Sequence, residues 1–390
     1  MTDGDKILNA LDPRELGKKL RLARERRGLT QEEAAKAIGV ARTTLVAVEK
    51  GDRRIRSEEL VQLAIEYGKD VSEFVEASRY EALFTEPQFR GPEEYEDETD
   101  AQIEQWIEEL KELSHDYYEY EQLLEAPLVR KYPTEYEVGR LKAAELGESM
   151  ALEERQRLGL GDKPITILRT LLEQEVGLRI YYLPLKPSKY SAIYLYSDRI
   201  GGCIAINSQH PEDRARMSLA HDYGHFLTTR YKPMLYIEGF YRGRSFGEII
   251  SDQFAVHFLM PTTGITRRFT DMRKSKGKVT PYDLVEMAHY FGVSFEALCY
   301  RLESLNLIPT GMFEHLKEQG FKVREVQQRL GLEQLPASRE RLPLRQQLLA
   351  VQALEQGLVS ESRFAQLLEV DQLKAREIFL SLSASTLSFE

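Results

Sequence analysis

The pattern of apolar and polar positions predicts short helices and tight turns in the first 75 residues. Residues 16–27 are amphipathic and end at a glycine, as helices often do. Thr30 then precedes a second helical run, and Glu33 stands three residues after it, which is the spacing of a capping box. A third helical run at 42–50 follows a turn at 39–41. This segment is therefore predicted to be a helix-turn-helix.

The pattern changes in the middle of the chain. Residues 178–184, 191–196 and 202–207 are rich in β-branched and aromatic residues, with Gly, Pro and Ser between them, and predict three strands. A helix is predicted next, at 211–228. Two further helices are predicted before the strands, at 135–157 and from Pro164 to near Gly177, and the chain after residue 309 is predicted to be helical to its end.

The helix at 211–228 carries His221 and His225, four residues apart. At this spacing both imidazoles project from one helix face, as two neighbouring ligands of one metal ion must. In the zinc-peptidase pattern HExxH the Glu after the first His is the general base. That position is Asp222 here. The alternative is a pair of structural histidines with a surface acid.

A zinc site with an open position needs a third protein ligand. Glu248 and Asp252 lie four residues apart on a later helix, so Glu248 is the best candidate ligand, and Asp252 would accept an N–H from a ligand His. Acids on a helix also commonly form its solvated face. Tyr223 points to another helix face than the His pair, and His257 is expected to be structural.

The composition fits two or three globular domains. The chain has 390 residues, 42% hydrophobic and 30% charged. It has no apolar run of about 18 residues, and its first residues lack a secretory signal, so we expect a cytoplasmic protein without a membrane span. Cys203 and Cys299 are too few for a disulfide framework or a Cys-rich zinc module, so any metal must be held by His and carboxylates.

The formal net charge is −10, but it is unevenly distributed. Residues 1–80 hold 16 basic and 15 acidic side chains, whereas residues 81–125 hold 2 and 16. The acidity therefore does not exclude DNA binding by the N-terminal segment. Residues 84–100 read as a linker, and the rest of the acidic stretch as a helix that packs on something. The stretch is expected to be a solvated connector, and the alternative is an autoinhibitory segment that competes for the basic face.

The segment LTQEEAAKAIGVARTTLVAVEKGDRRIRSEELVQLA resembles the repressor-type helix-turn-helix domains of the XRE family. The resemblance implies a dimer on double-stranded operator DNA, with the second helix of the motif in the major groove. It implies phosphate or groove-edge contacts by Gln31 and Arg42, and base contacts by Arg42, Thr43, Thr44 and Ala47. Phosphate contacts are favoured for a basic cluster that includes Lys50, Arg53 and Arg54. The alternatives are a protein docking surface and an ordinary solvated turn.

The segments GLRIYYLPL, CIAIN, RARMSLAHDYGHFL and IISDQFAVHFLMP resemble the ImmA/IrrE metallopeptidase family, over roughly residues 130–305. The resemblance implies that Zn²⁺ is held by His221, His225 and Glu248, and that residue 222 is the general base. Asp222 departs from the family pattern: its carboxylate is about one methylene shorter than that of Glu, and such misplacement can cost about 100-fold in rate.

The sequence thus predicts an α+β, mainly helical protein. Residues 1–80 form a five-helix DNA-binding domain, 81–125 an acidic linker and helix, and 126–307 a zincin-like domain with a small sheet and a metal-binding helix. Residues 308–390 form a helical tail, interpreted as an oligomerisation or partner-binding bundle. The first hypothesis is a regulator that cleaves a partner such as a repressor, with the homodimeric state that the resemblance to the XRE family implies. The second is a non-proteolytic repressor or antitoxin whose HDxxH domain binds a ligand or a toxin; stress, phage and toxin–antitoxin loci are the analogous settings.

Overall fold

Two compact units divide the chain, unit 1 at Met1–Leu83 and unit 2 at Phe84–Glu390. The computed structural model describes residues 12–69, 71–75, 97–139, 141–231, 234–237, 245–332, 340–368 and 370–386. Helices predominate in both units, and unit 2 adds a small sheet, which confirms the predicted α+β, mainly helical class. Among the described residues no helix is both long enough and apolar enough to span a bilayer.

The described residues of unit 1 form five helices, the number predicted. They are α1 Pro13–Arg26, α2 Gln31–Ala37, α3 Arg42–Glu49, α4 Ser57–Tyr67 and α5 Val71–Val75. The capping box predicted at the start of α2 is confirmed: the Glu33 amide donates to Thr30 Oγ1 at 3.2 Å, and the Thr30 amide donates to Glu33 Oε2 at 2.8 Å. Because these backbone groups have no partner inside the helix, the reciprocal bonds fix where α2 begins.

The apolar faces of the unit 1 helices form one core, and a buried ion pair lies beside it. Arg24 of α1 donates from Nε to Glu49 Oε1 of α3 at 2.6 Å, and from Nη1 to the Leu29 carbonyl at 2.8 Å. Both side chains of the pair are almost fully buried. The pair therefore joins the first helix of the unit to the second helix of the helix-turn-helix.

Unit 2 is built around a four-stranded sheet in the order β1-β3-β2-β4. Its strands are β1 Arg179–Leu183, β2 Tyr190–Ser197, β3 Gly201–Asn207 and β4 Met234–Ile237. β1 is parallel to β3, and the other two pairings are antiparallel. The three predicted strands are confirmed. β4 was not predicted, because it has four residues, too few for a pattern of alternation to be recognised.

The helices of unit 2 lie before, between and after the strands in sequence. They are α6 Asp97–Leu123, α7 Ala143–Arg157, α8 Leu168–Leu171, α9 Glu212–Thr229, α10 Phe246–Leu259, α11 Thr262–Lys276, α12 Pro281–Phe291, α13 Phe295–Ser304, α14 Met312–Glu318, α15 Val323–Arg329, α16 Leu344–Glu355, α17 Glu361–Leu368 and α18 Gln372–Thr386. The helix predicted at 211–228 is confirmed as α9, and the helical nature of the chain beyond residue 309 is confirmed in its described parts.

The two helices predicted before the strands are shorter than expected. α7 begins at Ala143 rather than near residue 135, because the preceding segment bonds elsewhere: the Tyr136 amide donates to the Leu227 carbonyl of α9 at 2.9 Å. α8 begins at Leu168 rather than at residue 164, and a π-helical turn continues it to Val176. The carbonyls just before α8, of residues 165 and 166, accept hydrogen bonds from the buried guanidinium of Arg216.

The helix predicted in the acidic stretch is α6, and its apolar face is buried in unit 2. Its acids face arginines: Glu121 accepts from Arg179 at 2.7 Å and from Arg345 at 3.0 Å, and Asp116 accepts from Arg363 at 2.6 Å. The expectation of a solvated connector is therefore wrong for this helix, because cationic partners from distant parts of the chain compensate its charge. Residues 84–96 of the predicted linker lie outside the described residues.

Candidate metal centre and helix-turn-helix surface

The two helices that carry the candidate ligands begin with different caps. α9 starts after Pro211 and has Glu212 and Asp213 in its first turn, where negative charges interact favourably with the helix dipole. α10 is capped at its start by Ser245, whose side chain accepts from the Glu248 amide at 3.3 Å. This cap places Glu248 in the first turn of α10, and α9 packs against α10 along the ligand-bearing segments.

The structure brings His221, His225 and Glu248 together in the interior of unit 2. The two Nε2 atoms lie 3.1 Å apart. Glu248 Oε2 lies 3.4 Å from His221 Nε2, and Oε1 lies 3.2 Å from His225 Nε2. All three residues are buried, with at most 5% of their surface exposed. Two imidazole nitrogens and a carboxylate, with one of its oxygens near each imidazole, thus lie close enough together to bind one metal ion.

These separations fit a tetrahedral ion. Nitrogen and carboxylate ligands lie about 2.0–2.2 Å from zinc, so ligands at tetrahedral angles lie about 3.3 Å from one another. The three separations observed here, between 3.1 and 3.4 Å, are of that size. Two imidazoles and one carboxylate leave a fourth position open, which is the donor set of a catalytic rather than a structural zinc site.

Asp252, one turn after Glu248, forms a hydrogen bond with one of the two imidazoles. Its Oδ1 lies 2.9 Å from His221 Nδ1. An ionised carboxylate only accepts, so His221 donates from Nδ1 and directs Nε2 toward His225 and Glu248. This carboxylate–histidine contact is the one predicted from the spacing of Glu248 and Asp252, and such contacts orient a metal ligand and raise its basicity.

The side chains of the centre shift one another's pKa values. Burial raises the pKa of Glu248, but hydrogen bonds from the two imidazoles outweigh it and hold that pKa well below its usual range. Burial lowers the pKa of His221, but the bonds to Asp252 and Glu248 raise it to about 9. Burial and the neighbouring His221 lower the pKa of His225. To serve as a ligand, Nε2 of His221 must therefore release a proton.

Asp222 lies beside the centre and is 2% exposed. Burial raises the pKa of its carboxyl to about 7, with a further increase from Glu248 and an opposing effect of His221. Its Oδ2 makes no hydrogen bond within the described residues. A buried carboxyl with an unsatisfied oxygen and a pKa near neutrality has the properties of a proton-transfer group.

The candidate DNA-contacting residues of unit 1 lie on α2, on α3 and in the turn after α3. Arg42, Thr43 and Lys50 are exposed, and Thr44 and Ala47 are half-buried. The start of α3 thus presents a cation and small polar side chains, as the predicted base contacts require.

Two of the candidates are tied to neighbouring side chains. Gln31 donates to Glu49 Oε2 at 3.0 Å and accepts from Arg42 at 3.4 Å, so Gln31 and Arg42 lie together. Arg53 donates two bonds to Glu59, at 3.0 and 2.8 Å, which partly neutralise its charge. Arg54 is exposed in the same turn.

Comparison with known families assigns both regions. The model of the family described as "IrrE N-terminal-like domain" matches residues 173–303, and that of the family described as "Helix-turn-helix" matches residues 20–74. The chain joins a helix-turn-helix domain to an IrrE-like domain. The first match contains the α2–turn–α3 motif, and the second contains both helices of the candidate metal centre. The two together support a DNA-binding regulator with a domain of a metallopeptidase family.

Solved structures add little to this assignment. Bacillus thuringiensis PlcR, in complex with the peptide PapR7 and DNA, is 14% identical and covers 97% of this chain and 100% of its own. ComR from Streptococcus suis is 10% identical and covers 95% of this chain and 89% of its own. The TM-score is 0.16 for each, which is too low to show that either shares the fold of this chain. No curated protein matches the chain.

Two other residues of the IrrE-like domain behave as the sequence predicts. His257 donates from Nδ1 to the Gln253 carbonyl at 2.8 Å, and its Nε2 lies 3.5 Å from Glu148 Oε1, which fits the structural role expected for it. Tyr223 is fully buried on another face of α9 from His221 and His225, where its hydroxyl bonds to Glu154. The sequence did not reveal Glu154 as a partner, since it lies 69 residues earlier on another helix.

A second group of ligand-type side chains lies on α6, outside the IrrE-like match. It consists of His115, Asp116 and Glu119. Arg363 Nη2 lies 2.6 Å from Asp116 Oδ1 and 3.4 Å from Glu119 Oε2. The guanidinium thus already compensates the two carboxylates, and the group is an ion-pair cluster between α6 and α17 rather than a candidate centre.

The separation of α9 and α10 is set by Gly224. A Cβ on this residue would lie 3.0 Å from Ser251 Cα and 3.2 Å from the Phe254 ring. Gly224→Ala should therefore push the helices apart and weaken zinc binding by about tenfold, although alanine is the better helix former by about 1 kcal/mol. Zinc affinity would be measured by competition with a chromogenic chelator.

The matched control is Gly247→Ala. Gly247 lies next to Glu248 on α10, and within the described residues an added Cβ would meet no closer neighbour than Ser245 Oγ at 3.9 Å, apart from the adjoining helix backbone. This variant should bind zinc as tightly as the parent. Equal affinities in the two variants would show that the Gly224 contact does not set the geometry of the centre.

Proposed function

We propose that the chain is a transcriptional regulator whose IrrE-like domain is a zinc peptidase that cleaves a partner protein such as a repressor. The convergence of His221, His225 and Glu248, with Asp252 behind the first ligand, carries this proposal. The donor set fits zinc by its chemistry, because two imidazoles and a carboxylate with an open position suit this ion.

Bound zinc would act as a Lewis acid that polarises a peptide carbonyl. The residues of the chain supply the rest. His221, His225 and Glu248 hold the ion, and Asp252 keeps the first imidazole in the required tautomer. Asp222 is the group that accepts and returns the proton: its carboxyl is buried and has a pKa of about 7, so it can serve as base and then as acid near neutral pH.

The helix-turn-helix domain would bring this activity to operator DNA. Arg42, Thr43, Thr44 and Ala47 on α3 would meet base edges, while Gln31, Lys50, Arg53 and Arg54 would contact phosphates. A dimer on paired half-sites is the arrangement that such domains favour. Cleavage of a repressor bound at the same locus would then release its target genes.

A second candidate function is a repressor or antitoxin that does not cleave. Asp222 is the observation that favours it, since the shorter side chain stands where a metallopeptidase of the HExxH pattern has Glu. In that case the metal would be structural, or the cleft would bind a ligand or a toxin. DNA binding is the same under both candidates.

Asp222→Glu separates the two candidates. If Asp222 is the base, restoring the longer carboxylate should raise cleavage by up to about 100-fold, because the proton acceptor then reaches the reacting water without misplacement. The measurement is mass spectrometry of new N-termini, after amine labelling, in a host-cell extract treated with the zinc-loaded chain. The background control is His221→Ala. If Asp222→Glu produces no more new N-termini than His221→Ala, the peptidase function is refuted and the non-proteolytic function remains.

DNA binding has its own test in Arg42→Ala. Removal of this exposed guanidinium should weaken binding to the DNA upstream of the chain's own gene by about 1–3 kcal/mol and lower the slope of affinity against salt. Fluorescence anisotropy across a salt series measures both. His221→Ala is the control and should bind as the parent does. An Arg42→Ala chain that binds like the parent would support a docking role for this surface instead.

A further inference from the structure

Beneath the metal-binding face of α9 lies a buried polar cluster of Tyr223, Glu154 and Arg157. The Tyr223 hydroxyl donates to Glu154 Oε2 at 2.5 Å. Arg157 donates from Nε to Glu154 Oε1 at 2.9 Å and from Nη2 to Oε2 at 2.7 Å. Its Nη2 also donates to the Tyr223 oxygen at 3.1 Å. Both oxygens of a carboxylate with no exposed surface are thus fully bonded.

The cluster connects α7 with both ligand helices. Tyr223 stands between His221 and His225 on α9, whereas Glu154 and Arg157 belong to α7. The Tyr223 ring also packs edge-on against Phe254 of α10, with ring centroids 5.6 Å apart. α7 itself approaches α10 closely at Gly147, where an added Cβ would lie 2.5 Å from the Ile250 carbonyl oxygen. α7 is therefore the common support for the helices that present the candidate ligands.

A buried polar cluster of this kind contributes less to the free energy of folding than apolar packing of the same volume often would. Burial of a carboxylate costs several kcal/mol before its partners compensate, and apolar replacement of such clusters often stabilises a protein. Unlike apolar contacts, hydrogen bonds to a fixed carboxylate have a preferred direction. The bond to Glu154 therefore restrains the rotation of α9 about its own axis at the residue between the two imidazoles.

We infer that Glu154, acting through the Tyr223 hydroxyl, is a positioning residue that directs the two imidazoles of α9 toward Glu248. This inference rests on the proposed metal centre. Because the ring of Tyr223 would pack equally well without its oxygen, the hydroxyl is the part that carries this role. Arg157 holds the Glu154 carboxylate in place from the open side, where its own side chain is 30% exposed.

The test is Tyr223→Phe in the full-length chain, with cobalt(II) and zinc as probes. Cobalt(II) can replace zinc in its protein sites, and its visible absorption reports the geometry of the ligands around it. The variant should bind zinc about tenfold more weakly, as other changes behind a metal ligand do, and its cobalt spectrum should differ from that of the parent. Glu154→Gln should give the same loss. The double variant should be no weaker than either single one, because the two residues act through one bond.

The matched control is Tyr181→Phe. Tyr181 of β1 is also fully buried, and its hydroxyl donates to the Leu113 carbonyl at 3.2 Å, away from α9. Its loss should lower thermal stability and leave zinc affinity and the cobalt spectrum unchanged. The inference is overturned if Tyr223→Phe behaves in the same way. If the parent and Tyr181→Phe chains bind neither ion, the proposed metal centre fails and the inference fails with it.

Discussion

His221→Ala should lower the zinc affinity of the chain by more than about 100-fold. Loss of a residue behind a ligand costs roughly 10–100-fold, and loss of a ligand costs more. The buried Glu248 carboxylate would also lose the hydrogen bond from His221 that helps to keep its pKa low. Glu248→Ala should have the same effect, because it removes a carboxylate that reaches both Nε2 atoms. Metal content of the purified chains, by mass spectrometry, measures both.

His257→Ala is the control for these two variants. It removes a buried histidine of the same helix as Glu248 that bonds to a backbone carbonyl and not to the centre. It should retain about one zinc per chain, like the parent. A parent chain without metal, even after zinc is supplied, would refute the centre and leave a DNA-binding regulator with a repurposed pocket.

Arg24→Met should destabilise unit 1 by about 3–5 kcal/mol. The substitution leaves Glu49 buried without its guanidinium partner, and an uncompensated buried charge is far more costly than the pair. It also removes the donor to the Leu29 carbonyl. Hydrogen exchange of peptides from residues 13–75, measured on the full chain, should show protection of unit 1 reduced by about 100-fold or more.

Arg21→Met provides the comparison on the same helix. Arg21 pairs with Glu25 at 2.9 Å, but both side chains are partly exposed, and such pairs contribute about 0.3–0.5 kcal/mol. Its exchange should stay close to that of the parent. Similar protection in the two variants would mean that the Arg24–Glu49 pair does not hold α1 to α3.

Local sequence signals predicted most of the elements that the structure shows. The capping box of Thr30 and Glu33 fixed the start of α2, and the β-rich segments fixed β1, β2 and β3. Predictions failed where a distant partner decides the local structure. Residues 135–139 carry a helical pattern but lie outside α7, since the Tyr136 amide bonds to α9. The acids of α6 suggested a solvated segment, whereas arginines from later in the chain pair with them.

The sequence by itself determined the chemistry that the chain offers: two imidazoles one helical turn apart, an Asp at the position of a catalytic Glu, and a helix-turn-helix with a basic turn. Only the tertiary structure decided which groups meet. Glu248 reaches the His pair because α9 and α10 approach closely at Gly224, and Tyr223 meets Glu154 because α7 supports both helices. The physical reason is range: helix periodicity and capping act within a few residues, whereas burial and side-chain bonds join residues distant in sequence.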